Sequence, residues 1–417
     1  MSGTRHAVSG YDSHCRGCGD GVPGSMSAGA GTEEKDRTTV NEELTPRRAV
    51  PEHHRRNIWI IVVVAVVVVC GGGVGVAYGT GFWPFSSTAQ NTPTPTPPSF
   101  GPRVIQTPTP TPPPVLEPLP TWPLTGVGGD VVDRPALVVK IENSSDARPQ
   151  EGLESADIVY EEMVEGGISR FAAIFNSTLP PRIVPIRSVR PMDGPITAWT
   201  GGVLAFSGGQ AQFTSRAQND GLQLLSMDAG AKGFSRVSGR ASTHDVAGDP
   251  AAFLAQADSS HQSPPPPFAA FDTDGSGSTA QRQGTMTSQV SVTISSIAHP
   301  SWSWDASSGR WLRSEGNTPA KDAAGDQLSA SNVLVLGVQV QYLAGTDAAG
   351  NHIPESIVVG QGSGIVVSGQ MSAPITWQKA DESSPWQFLD ATGAPVTLTP
   401  GNTWIELVPN SGTWSVS

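Results

Sequence analysis

The chain has 417 residues, with 25 Lys and Arg against 37 Asp and Glu and a formal net charge of -12. So acidic a chain has no general basic surface with which to release counterions from phosphates, which excludes sequence-independent nucleic-acid binding and broad adhesion to anionic lipid. Its three cysteines, Cys15, Cys18 and Cys70, all precede residue 71; no disulfide can staple the rest, and a domain there rests on its apolar core.

Residues 1–56 are polar and rich in Gly and Ser, without apolar periodicity, and read as a disordered cytoplasmic tail. The isolated Cys15-Arg16-Gly17-Cys18 offers only half of a four-ligand zinc site, so no metal and no cofactor is expected. From Ile58 to Tyr78 no residue is charged. At ~1.5 Å per residue that run spans roughly 30 Å, one hydrocarbon core, where a helix satisfies its own backbone groups. One transmembrane helix is therefore predicted over 57–83. Arg47, Arg48, Arg55 and Arg56 precede it, and no Lys or Arg follows until Arg103. The positive-inside rule puts the N-terminus in the cytoplasm and the bulk of the chain outside the cell membrane. The residue before Cys70 is Val69, which is not small, so a retained helix is expected rather than a lipid anchor.

Residues 84–128 hold two Thr-Pro tracts, Thr92–Pro98 and Thr107–Pro114. Such a stalk prefers polyproline II at ~3.1 Å per residue and reaches on the order of 100 Å, enough to lift a domain into a cell wall. Residues 129–258 mix strand and helix patterns: strands at Pro135–Ile141, Ile158–Val164, Ile168–Phe175 and Val203–Phe206, short helices at Ala211–Asn219 and Pro250–Ala257. Residues 259–285, with Pro264–Pro267 and an Asp272–Gly277 run, read as a linker. That run echoes a calcium loop, but its twelfth position is Gln283 rather than a bidentate carboxylate. Residues 286–417 are mostly strands: Val290–Ile294, Val333–Val340, Ile357–Val359, Ile365–Val367, Ile375–Trp377 and Trp404–Val408. Seven of the 11 Trp fall here; packing in a core explains them better than a glycan groove. The predicted fold class is thus an α+β outer region, a mixed α/β N-terminal domain followed by a mostly β C-terminal domain, with one transmembrane helix.

Gly166-Gly167 between two strand patterns signals a two-residue hairpin turn. That register sets Glu165 opposite Ile168, Met163 opposite Arg170 and Glu161 opposite Ala172. Glu161, Glu165 and Arg170 then share one face, and Ile158, Tyr160, Val164, Phe171 and Phe175 form the core face, with only Glu162 out of place. Two carboxylates about one guanidinium suit a polar ligand, or a general acid and base with split pKa values; a plain ion-pair network has the same composition. Arg187 and Arg190, just before a helix start at Pro191, add anion-holding groups, and His244 adds a titratable one. The candidate ligand-binding residues are Glu161, Glu165, Arg170, Arg187, Arg190 and His244. No nucleophile elbow, P-loop, dinucleotide fingerprint or zinc-protease motif is present.

The block Arg134-Pro135-Ala136-Leu137-Val138-Val139-Lys140-Ile141-Glu142-Asn143, then Ala147-Arg148-Pro149-Gln150, Gly152-Leu153, Ala156-Asp157-Ile158-Val159-Tyr160-Glu161, Glu165–Phe171 and Pro185–Arg190, resembles the YerB-like family of bacterial envelope lipoproteins. Gly362-Ser363-Gly364, Asp390–Gly393 and Pro400–Ile405 resemble its C-terminal domain. The resemblance covers about 130–417 and implies location and fold, without an established activity. It departs where family members carry Pro-His-Asn and this chain has Thr243-His244-Asp245. Two functions follow as expectations: a membrane-anchored envelope module binding a cell-wall polymer or an envelope protein, or an uncharacterised envelope hydrolase using the Glu/Arg/His cluster.

Overall fold

A computed structural model describes residues 119–417. The predicted tail, transmembrane helix and residues 84–118 of the stalk lie outside the described residues. Among those described, no helix is long and apolar enough to cross a membrane. Residues 119–128 pack onto the fold: Leu124 is fully buried, and the chain turns at Gly126 (φ 66°) against the ring of Phe271.

Five strands of the first half are β1 (Leu137–Glu142), β2 (Ile158–Met163), β3 (Ser169–Phe175), β4 (Val203–Phe206) and β5 (Gln223–Ser226). They lie in the order β2-β3-β1-β4-β5. The same sheet continues past β2 through Thr403–Pro409, Asn332–Thr346, Gly360–Ser368, Met371–Lys379 and Gln387–Leu389. The expectation of a mixed α/β half followed by a mostly β half holds only coarsely. The described chain is mostly β, and both halves contribute to one sheet. The uniting element is Thr403–Pro409, which runs parallel to both β2 and Asn332–Thr346. Apolar runs announce such strands but carry no mark of the partner, which is set by packing across the whole chain.

β1, β2 and β3 are buried at every position, the pattern of strands covered on both faces. One face packs Val138, Tyr160 and Ile174 against Ile196 and helix Ala211–Asn219 through Phe213 and Ala217. The other packs Val139, Val159 and Phe171 against a second, six-stranded sheet through Val290, Trp302 and Trp311. Trp302, Trp311, Trp377, Trp386 and Trp404 are buried, as core packing requires, and Trp404 meets Phe171 and Trp302 edge-on at 5.3 Å each. The 259–285 stretch contains a capped helix, Thr279–Gln283, held by Ser278 and Gln281.

The hairpin is real but its register differs. Its loop has three residues, Glu165-Gly166-Gly167, closed by the Val164 N–H donating to the Ile168 carbonyl at 2.8 Å. Gly166 and Gly167 take φ of 71° and 77°, a left-handed pair that glycine tolerates. Glu161 consequently opposes Phe171, and Glu162 opposes Arg170. One residue of slip exchanges the faces of a strand. Glu161 and Arg170 therefore lie on opposite sides of the sheet, and the carboxylate pair predicted around Arg170 is not formed.

Candidate functional site

On the helix-covered face, the end of β1 supplies Lys140 and Glu142, β2 supplies Glu162 and β3 supplies Arg170. A segment threaded between β1 and β4 brings the remaining groups. Its Arg187 N–H donates to the Lys140 carbonyl at 2.9 Å, while the Ser207 N–H donates to the Arg187 carbonyl at 3.0 Å. This anchoring places both Arg187 and Arg190 over the end of the sheet.

Glu142, almost wholly buried, is the hub. Its Oε2 lies 2.8 Å from Arg187 Nε and 2.8 Å from His244 Nδ1. Arg190 Nε donates to Glu165 Oε2 at 2.7 Å, and Arg187 Nη1 donates to the Thr243 carbonyl at 2.8 Å. Arg170 is the least satisfied member. Its Nη1 reaches the Ser188 carbonyl at 3.3 Å, and its buried Nε has no partner. Burial, then the neighbouring Arg190 and Arg187, push its guanidinium down to about 9. Arg170 thus has two guanidiniums beside it and no carboxylate oxygen hydrogen-bonded to it. Below them Lys140, fully buried, pairs with Glu162 and, at 2.7 Å, with Asp193 Oδ1. Asp193 also accepts the Arg190 N–H at 2.6 Å through Oδ2.

The structure brings Glu165, Arg170, Arg187, Arg190 and His244 together and puts Glu161 elsewhere. On the far face Glu161 accepts from Arg313 Nη2 at 2.5 Å and from Ser169 Oγ at 2.5 Å. Arg313 Nη1 donates to Glu315 Oε1 at 2.6 Å, and Arg148 stands 3.3 Å from Glu315. A cavity of about 450 Å³ opens on Arg148, Gln150, Arg313, Glu315 and Asp322. With its carboxylate separated from Arg170 by the sheet, Glu161 drops out of the expected Glu/Arg/His cluster, in which Glu165 remains the carboxylate paired with Arg190.

Sequence reasoning missed Lys140, Glu142, Glu162 and Asp193 on the first face, and Arg313, Glu315 and Glu406 on the second. A signal existed for some. Lys140 and Glu142 interrupt an apolar strand, and a charge in a buried strand must be paired. Glu162, the misfit of the predicted core face, marked the wrong register.

Glu406 stands opposite Glu161 in register, is fully buried, and accepts from Trp302 Nε1 at 2.9 Å. Burial, then the Glu161 carboxylate, hold its carboxyl well above the usual range, so the folded chain keeps a proton there. Above the ordinary carboxylate value of 4.5 the folded state binds one proton more than the unfolded state, and stability falls as pH rises. Glu406→Gln is expected to remove this slope. Urea midpoints of the parent should fall between about pH 5 and pH 8 relative to those of the variant. Parallel midpoints for the two proteins would contradict the assignment.

A mixed sheet shared by two sequence halves, with a guanidinium cluster at its end, defines a mostly β domain built in two parts. Family models described as "Protein of unknown function (DUF3048)" match it in two pieces, the N-terminal domain over residues 124–263 and the C-terminal domain over 290–405. The chain belongs to this YerB-like family. It is 47% identical over 70 residues to YerB of Bacillus subtilis (strain 168), provisionally named a lipoprotein. That match spans 16% of this chain and 21% of the relative, about a fifth of its length. The crystal structure of YerB protein from Bacillus subtilis shares the fold, with a TM-score of 0.60 at 21% identity, over 71% of this chain and 99% of that one.

Proposed function

We propose that the protein is a binding module of the cell envelope, held at the outer face of the membrane, that captures an anionic group at Arg170, Arg187 and Arg190. One observation carries the reading: a nearly buried guanidinium with an unpartnered Nε, pressed between two others and depressed to about 9. Burial, and then the neighbouring Arg190 and Arg187, disfavour the charge on this guanidinium, and none of the protein's carboxylates bonds to it to offset them. A phosphate or carboxylate entering past the half-buried Arg187 and Arg190 would meet that charge with bidentate hydrogen bonds. The placement outside the membrane rests on the uncharged run Ile58–Tyr78 with its basic inner flank, and the relative's lipoprotein name favours the same compartment. The anion would belong to a wall polymer or to an envelope protein.

Calorimetric titration of the full-length chain with inorganic phosphate tests the site. Arg187→Gln is expected to weaken binding about tenfold, the loss of one charge-assisted hydrogen bond, while Arg182→Gln, at an exposed ion pair with Glu151, leaves it unchanged. No saturable binding by the parent, or equal affinity in the Arg187 variant, would sink the proposal.

A further inference from the structure

A separate groove lies where the main sheet forks. Strand Asn332–Thr346 pairs with Gly360–Ser368 only as far as Leu336 opposite Gly364. Beyond that point Gly337 and Val338 keep only Val408 and Pro409 as partners, while Gly360–Ser363 keep only Lys379–Thr376. The gap is a cavity of about 570 Å³, within the roughly 300–1,000 Å³ typical of small-ligand sites. The strand expected at Ile357–Val359 lies earlier in the chain, ending at Ile357. His352–Ile357 ends, and the chain reverses into Gly360–Ser368 to form the groove wall.

Two glycines keep the gap open. A Cβ on Gly362 would lie 2.5 Å from Trp377 Nε1, and one on Gly337 would lie 3.3 Å from the Trp414 ring. Trp377 forms the buried floor, its Nε1 donating to the Gly337 carbonyl at 3.0 Å, and half-buried Trp414 forms a wall. Gln339, Gln361, Asn410 and Ser363 line the opening, are exposed, and make no side-chain hydrogen bond among the described residues. No lining residue is charged.

We propose that this groove binds a neutral oligosaccharide. Each amide offers a donor and an acceptor side by side, the pair that adjacent hydroxyl groups of a sugar ring satisfy. Indole surface takes the ring's apolar C–H face, as aromatic rings take other apolar surface. A charged ligand would enter without a counter-charge and lose its hydration. A purely apolar one would strand four side-chain polar groups away from water. The groove shares no residue with the guanidinium cluster, so this inference stands whether or not the anion site does.

Titration of the full-length chain with cellotetraose and with N-acetylchitotetraose, followed by tryptophan fluorescence and calorimetry, tests it. The expected result is saturable binding of at least one of them, with a blue shift in emission. Trp414→Ala and the exposed Gln361→Ala should each weaken that binding about tenfold, while Arg187→Gln leaves it unchanged and Trp414→Ala leaves phosphate binding unchanged. Failure of both saccharides to bind at millimolar concentration would overturn the proposal. So would binding insensitive to Trp414→Ala and Gln361→Ala, or capture of a neutral Gly-Ser peptide instead, which would assign the fork to an added strand.

Discussion

Exchange of Lys140 for Met is expected to destabilise the protein by about 3–5 kcal/mol, since it strands two buried carboxylates without a counter-charge. Lys140, Glu162 and Asp193 are all fully buried, and the lysine touches both acids. The Glu162 Oε2 already lacks a partner, so loss of the ammonium leaves this carboxylate without any hydrogen bond. Urea unfolding of the full-length chain should show a lower midpoint at unchanged slope. The double exchange Lys140→Met with Glu162→Gln should recover much of the loss. Asp193 then remains, but the Arg190 N–H still donates to it. A single variant within about 0.5 kcal/mol of the parent would show that the triad adds nothing to stability.

The second large effect is expected on the opposite face. Arg313 is almost wholly buried, forks between Glu161 and Glu315, and stands 5.2 Å from the ring of Phe171 and 5.1 Å from that of Trp404. Arg313→Met keeps much of the apolar contact but leaves Glu161 and Glu315 without their shared guanidinium. The predicted cost is about 3–5 kcal/mol, a drop in Tm on the order of 10 °C for a domain of this size. Arg313→Lys should rescue little, because an ammonium cannot span two carboxylates and lie flat on two aromatic rings. Arg313→Met combined with Glu161→Gln should rescue more. Thermal unfolding that ranks Lys above this double exchange would refute the fork as the source of stability.

The sequence made local elements plain and long-range partners obscure. β4 and helix Ala211–Asn219 lie where apolar spacing predicts them, because each pattern spans only a few residues. The existence of the β2–β3 hairpin was equally clear from Gly166-Gly167. Its register was not, because a loop of two residues and a loop of three carry the same glycines, and the choice between them turns every side chain over. Glu161 meets an arginine 152 positions away, a contact that no periodicity encodes. Arg187, Arg190 and His244 could be gathered as candidates from residue type and from the resemblance, yet the acid that binds Arg187 and His244 together, Glu142, sits in a strand that otherwise reads as core. Charges inside apolar strands were the informative exceptions: Lys140, Glu142 and Glu161 each proved to have an oppositely charged partner.

The position of Thr403–Pro409 has a consequence for how the molecule comes into being. This strand lies between β2 and Asn332–Thr346 and pairs with both, yet it is synthesised after both of them. Until it arrives, two groups of strands made earlier each present an open edge, and neither can close on the other. A nascent chain emerging N-terminus first is therefore barred from completing its central sheet.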